Sequence, residues 1–214
     1  MKTAMFQSRD ENMSVRKWAD AHGGVSRRAV VLSGLSLSSW AGGREPLPMQ
    51  LDDAHWREMP RTRGIEVGNT GMARPFYVFF DPNCPYCAKL WTMPLPEDLG
   101  GAMARYPALW VPVSYLKQSS HGRAVALLRG GDARALARNF EEGFDHEGHE
   151  GGIPPLEPLL SERLIMERNN RIWKAIAPAS PVMVWMMRST HLPARWMGLP
   201  SPQKLETFLR DVAG

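Results

Sequence analysis

The chain holds two cysteines, three positions apart in Cys84-Pro85-Tyr86-Cys87. A structural disulfide framework takes more cysteines at wider spacings, so these two are left to pair with each other, with a substrate or with a partner. A thiolate, not a thiol, attacks a disulfide, and it forms where positive potential stabilises the anion. A helix N-terminus supplies such potential through unpaired N–H groups and the helix dipole. Cys87 follows one helical turn after Cys84, on the same face. The arrangement makes Cys84 the candidate nucleophile and Cys87 the candidate resolving thiol. In motifs of this kind a thiol pKa of about 8.5 falls to between roughly 3.5 and 7.5. Pro85 and Tyr86 tune the potential, which ranges in such motifs from about −270 to about −120 mV. Pro85 lacks an N–H, which points to the oxidising end.

Two other readings of the pair compete. Half of a zinc site has the same spacing but wants a second Cys or His pair. His146 and His149 could serve one metal, yet they stand in the acidic, glycine-flanked run Asp145-His146-Glu147-Gly148-His149-Glu150. That run lacks the two histidines four apart on a helix that mark zinc proteases. Two incidental buried cysteines would not be expected at a strand-to-helix junction. No metal and no cofactor is expected. Asp81, just before the motif, either influences the proton balance of the thiols or caps the turn. Tyr86 is expected to be exposed beside the sulfurs.

The elements around the motif support this placement. Pro75-Phe76-Tyr77-Val78-Phe79-Phe80 is a continuous apolar run of β-formers and reads as a buried central strand. Asp81-Pro82-Asn83 breaks it. A helix then starts at Cys84, with Pro85 suited to its first turn, and ends or kinks at Met93-Pro94-Leu95-Pro96. Leu109 to Leu116 reads as a second strand, in which Pro112 suggests an edge or a bulge. Arg123 to Leu128 and Asp132 to Glu142 have helical spacing, and Gly143 to Pro158 reads as a loop. Leu159 to Ile176 is helical, with Leu160, Leu164, Ile165, Ile172 and Ile176 near one stripe. Pro181 to Met187 is a third strand, apolar on both faces, so layers should cover both sides. A short strand at Ala194 to Met197 precedes a final helix capped by Ser201. The tryptophans Trp91, Trp110, Trp173, Trp185 and Trp196, with Met183, Met186 and Met187, could line an adaptable groove. Core filling fits their periodicity better. The pattern is mixed α/β with a helical insertion.

Among 214 residues, 26 Lys/Arg stand against 22 Asp/Glu. Six of those basic and three of those acidic side chains fall within the first 41 residues, leaving 20 against 19 in the remainder. The remainder shows no dense basic stripe, so nucleic acid is not expected as a partner. Within those first residues, Ser26-Arg27-Arg28 precedes a modestly apolar run ending at Ala41. An arginine pair before such a run resembles a twin-arginine export signal. Ser39-Trp40-Ala41 offers small residues at a cleavage site. Val30 and Val31 depart from the Phe-Leu usual after the pair, and the long polar stretch before it makes Met13 an alternative start. The expected organisation is an export signal over 1–41, a short extension or linker over 42–73 with one short helix around Leu51 to Glu58, and a catalytic domain over 74–214 with a helical insertion at about 119–176.

The run Phe79 to Cys87 followed by Leu90-Trp91 resembles the active-site segment of the periplasmic DsbC/DsbG proteins. The tail Met197-Gly198-Leu199-Pro200-Ser201-Pro202-Gln203-Lys204-Leu205 and the run Val111-Pro112-Val113 are similar to the same family. The resemblance implies a thioredoxin-like α/β fold with a helical insertion, a periplasmic location and thiol:disulfide exchange. It implies a cis-proline loop facing the reactive cysteine, here Ser180-Pro181, that binds substrate backbone as an added strand. The family usually has Thr before that proline; Ser180 keeps the hydroxyl. The implied partners are exported cysteine-containing clients and a membrane thiol-redox partner. The family's dimerisation domain does not fit in the 32 residues from Gly42 to Ala73, so a monomer is expected. Reductase, isomerase and oxidase directions stay open, as does protection of single cysteines from sulfenic acid. The competing class is a client-binding chaperone or envelope-assembly accessory.

Overall fold

The computed structural model describes residues 48–68, 76–177 and 179–212. The expected export signal over 1–41 lies outside them. In chain order the elements are β1 (Met49–Gln50), α1 (Asp53–Glu58), β2 (Ile65–Val67), β3 (Tyr77–Phe80), α2 (Pro85–Trp91), β4 (Ala108–Pro112), α3 (Gln118–Gly130), α4 (Ala133–Ala137), α5 (Leu160–Ile176), β5 (Val182–Met186), β6 (Pro193–Met197) and α6 (Pro202–Arg210). The strands form one sheet in the order β1-β6-β5-β3-β4-β2. The pair β3–β4 is parallel, and every other pairing is antiparallel.

All four residues of β3 are buried, because alternate side chains enter different layers. Val78 and Phe80 join Trp110, Met183 and Trp185 on the face covered by α2, α4 and α6. Tyr77 and Phe79 join Val111, Val182 and Val184 on the face covered by α5 and by Leu51 and Met59. Each of these large apolar side chains contributes roughly 1.5–3 kcal/mol on burial. The tryptophans fill the core: Trp91, Trp110, Trp173 and Trp185 are nearly inaccessible, and Trp196 is buried as well. Met183 is buried with them, while Met186 and Met187 are half-buried.

Three sequence expectations change. First, the segment ahead of β3 holds its short helix, α1, capped by Asp52, whose side chain accepts from His55 N–H. It also supplies β1 and β2, which pair with β6 and β4. The described part of this segment is thus a piece of the sheet and not a linker. Strands of two and three residues are too short to show an alternating pattern; their partners define them. Second, Pro112 does not mark an edge strand, since β4 lies between β3 and β2. It stands at the end of β4, past Trp110, the last residue paired with β2. There Asn169 of α5 replaces the sheet ladder. Its amide accepts from Arg63 N–H and donates to the carbonyls of Arg63 and Pro112. Third, the buried stripe of α5 is Met166, Asn169, Ile172, Trp173 and Ile176. Leu160 and Leu164 face solvent.

The block between β4 and β5 is helical, as α3, α4 and α5. The expected helix over Asp132 to Glu142 is α4 running into a π-helical turn, Arg138–Glu142, which buries Asn139 and Phe140.

Candidate active site

The chain leaves β3 at Phe80 and turns through Asp81-Pro82-Asn83. Cys84 N–H donates to the Asp81 carbonyl at 3.0 Å, closing the turn. Cys84 is the N-cap of α2, with Pro85 in its first turn. Extended backbone at the cap and a proline that needs no hydrogen-bond acceptor suit this start. Tyr86 is exposed, with the Lys89 ammonium 5.8 Å from its ring centroid.

Both cysteines are free thiols. Cys84 is 2% exposed and Cys87 fully buried, so a disulfide approaches the pair from the Cys84 side. The two thiols differ in acidity. Cys84 is lowered to about 7, first by a hydrogen bond from the Cys87 thiol, then by the Ser180 side chain and the N–H groups of Cys87 and Tyr86, against the opposing effect of burial. Cys87 is pushed well above the ordinary thiol value, by burial first and then by the neighbouring Cys84. One sulfur is disposed to ionise near neutrality and the other to keep its proton.

The opposite wall is the loop before β5. The Ser180–Pro181 peptide is cis, and the Cys84 thiol donates to the Ser180 carbonyl at 3.5 Å. Two aromatic residues hold this loop. Trp173 of α5 donates its indole N–H to the Ala179 carbonyl at 2.6 Å. Tyr115, on the connection from β4 to α3, stacks on Trp173 with ring centroids 4.5 Å apart. Its phenol lies 2.7 Å from Ser180 Oγ. Tyr115 carries no spacing signal in the sequence; its role comes from long-range contacts.

Asp81 does more than cap the turn. Fully buried, its carboxylate accepts from Asn83 N–H and the Ser120 hydroxyl on Oδ1, and from Tyr115 N–H and Leu116 N–H on Oδ2. It joins the cysteine turn to the connection that carries Tyr115. Asn83 extends the joint: its amide donates to the hydroxyls of Ser119 and Ser120 and accepts from Gly151 N–H. Gly151 belongs to the loop between α4 and α5. A Cβ there would lie 2.2 Å from Asn139 Oδ1 and 2.6 Å from the Pro82 carbonyl oxygen, so this approach requires glycine. His146 and His149 lie on the same loop, and Phe144 packs against the His146 ring with centroids 5.0 Å apart. Among the described residues, no group of three or more His, Cys, Asp or Glu side chains could hold a metal ion.

No protein-family model matches the chain. It is 24% identical over 172 residues to the thiol:disulfide interchange protein DsbG of Pseudomonas aeruginosa, spanning 78% of this chain and 64% of that relative. Among solved structures it is similar to a periplasmic thioredoxin-like protein from Salmonella enterica serovar Typhimurium. The TM-score is 0.50 at 16% identity, over 76% of this chain and 97% of that one. The fold is thioredoxin-like. The resemblance to DsbG runs through this chain's sequence as well, and it covers a little under two thirds of the relative's length.

Proposed function

We propose that this chain is a periplasmic thiol:disulfide oxidoreductase acting on exported proteins through Cys84 and Cys87. The observation that carries the reading is the asymmetry of the pair: an acidic thiol at the start of α2, facing the Ser180 carbonyl at 3.5 Å, above a buried thiol that keeps its proton. The Cys84 thiolate attacks one sulfur of a client disulfide. A Cys84–client disulfide forms as the client S–S bond breaks, and the second client sulfur leaves as a thiolate that takes a proton from water. The negative charge beside Cys87 is then gone, so Cys87 loses its proton more readily. It attacks the Cys84 sulfur and expels the client's first sulfur. The client gains two electrons and the pair becomes a disulfide; the same steps in reverse oxidise a client. A membrane thiol-redox partner resets the pair. The arginine pair Arg27-Arg28 ahead of the apolar run to Ala41 supports export, and the periplasmic thioredoxin-like protein of Salmonella supports the same compartment.

Reduction of insulin by dithiothreitol, followed as turbidity, tests the activity. The parent accelerates precipitation and Cys84→Ala does not; equal rates for the two proteins would refute the exchange reading. A client-binding accessory role is the second reading, favoured by the exposed leucines Leu156, Leu159, Leu160 and Leu164 before and along the start of α5. Under it, Cys84→Ala would keep full function in cells.

A further inference from the structure

Three contacts run in series toward the Cys84 sulfur. Trp173 stacks on Tyr115 with centroids 4.5 Å apart and 25° between the ring planes. The Tyr115 phenol is 2.7 Å from Ser180 Oγ. Ser180 in turn faces Cys84: its carbonyl is 3.5 Å from the sulfur, and its side chain acts to lower the Cys84 thiol. The Trp173 indole also anchors the preceding carbonyl of Ala179. The Tyr115 backbone is fixed by Asp81, the residue that closes the cysteine turn.

A serine hydroxyl has one proton and two lone pairs. If that proton goes to Tyr115, the sulfur receives none. If Tyr115 donates instead, the Ser180 proton is free to point at a sulfur anion. Burial raises Tyr115 to about 12, so the phenol retains its proton throughout the range in which Cys84 titrates. When Cys84 is protonated it donates to the Ser180 carbonyl; once ionised, it becomes an acceptor. Hydrogen bonds to charged groups are the stronger kind, so ionisation favours the arrangement in which Tyr115 donates.

We propose that Tyr115 is a positioning residue for the Cys84 sulfur, donating to Ser180 Oγ and so directing the Ser180 proton onto the thiolate. The inference deepens the thiol:disulfide reading and rests on Cys84 being its nucleophile. Besides Ser180, the sulfur's titratable neighbours are Cys87 on α2, Asp81 at the end of β3 and Tyr115 itself. Cys87 keeps its proton at neutral pH, and the Asp81 carboxylate is bound by four donors that the phenol does not touch.

The test is the rate of Cys84 alkylation by iodoacetamide as a function of pH, in the reduced full chain. Alkylation needs no disulfide substrate, so it reads thiol acidity whether or not the chain reduces insulin. Tyr115→Phe keeps the ring on Trp173 and removes only the hydroxyl. The expected result is a rise in the midpoint by about half a pH unit, which slows alkylation at pH 6 about threefold. Ser180→Ala shifts the midpoint the same way, and adding Tyr115→Phe to it causes no further shift. A general loosening of the site would slow client reduction without this dependence on Ser180. A Tyr115→Phe profile that superimposes on the parent's overturns the proposal. So does an equal shift in the Ser180→Ala background.

Discussion

Asn139, buried in the π-helical turn after α4, donates to the Pro82 carbonyl at 3.0 Å. The helical block is thereby bonded to the turn that presents Cys84. Asn139 also receives the loop that follows it: Gly152 N–H donates to its backbone carbonyl at 3.0 Å. The turn, the helical block and the loop form one unit, with Gly151 filling the space where a side chain would separate them.

Gly151→Ala tests that unit. The added Cβ meets Asn139 Oδ1 at 2.2 Å and the Pro82 carbonyl oxygen at 2.6 Å; the second is backbone, and the first ends a buried amide held by its bond to Pro82. Overpacking of this kind costs about 1–3 kcal/mol. Urea denaturation should show a loss in that range. Insulin reduction should fall too, because Pro82 precedes Cys84 by only two positions. Unchanged stability would mean that the loop is free to move away.

The unequal thiols make a prediction about pH. Cys84 is lowered to about 7 from an ordinary 9.0. A lowered value means that the folded state favours the anion, so this contribution is complete above pH 9 and is lost as pH falls through 7. Two pH units correspond to about 2–3 kcal/mol. The stability of the reduced parent relative to Cys84→Ala should therefore rise between pH 6 and pH 9, measured by urea unfolding under a reductant. A flat difference would show that Cys84 ionises in the folded protein as it does in the unfolded chain.

Asp81→Asn keeps the shape of the side chain but turns one acceptor into a donor. The amide that replaces the carboxylate can no longer accept on both atoms. Two of the four donors then lose their partner, either Tyr115 and Leu116 N–H or Asn83 N–H and the Ser120 hydroxyl. Buried donors left without partners cost about 1–3 kcal/mol each. The expected loss exceeds that of Ser119→Ala, which removes a single hydrogen bond from Asn83. Comparing the two variants by thermal or urea unfolding decides whether the carboxylate is the joint of the site.

Asn169→Leu replaces three hydrogen bonds with an apolar group of similar size. Arg63 N–H and the carbonyls of Arg63 and Pro112 lose their partner. A loss of about 2–4 kcal/mol is expected, from buried groups left unsatisfied. Hydrogen exchange should show earlier opening of β2 and of the end of β4. A neutral or stabilising substitution would mean that water enters and replaces the amide.

The cysteines could be read from the sequence because Cys-Pro-Tyr-Cys follows a run of β-formers and a turn, and each of those signals is local. The central strand, α5, β5 and α6 were legible for the same reason. The faces of α5 were less so: the stripe through Leu160 and Leu164 ignored Asn169, which is buried because two carbonyls and an N–H on the sheet need it. Strands β1 and β2 have too few residues to show a period. Tyr115 and Trp173 met no motif. Their place beside Ser180 depends on contacts between residues 65 positions apart for Tyr115, together with ring stacking across two elements. Asp81 was legible as a turn residue, but its partners beyond β4 were not.

Three residues on one stretch of α5 reach three different parts of the protein. Asn169 ties the ends of β2 and β4, Asn170 accepts from Ser114 N–H and donates to its hydroxyl, and Trp173 supports Tyr115 and Ala179. A domain trimmed to its cysteine helix and central strands would omit α5. Here the trimmed protein would keep both cysteines and lose the ruler against which the opposite wall is set. Grafting Cys84 to Cys87 onto another thioredoxin-like scaffold would carry over the Cys87 thiol and the N–H groups of Cys87 and Tyr86, but not the share of the acidity that comes from Ser180, unless α5 went with them.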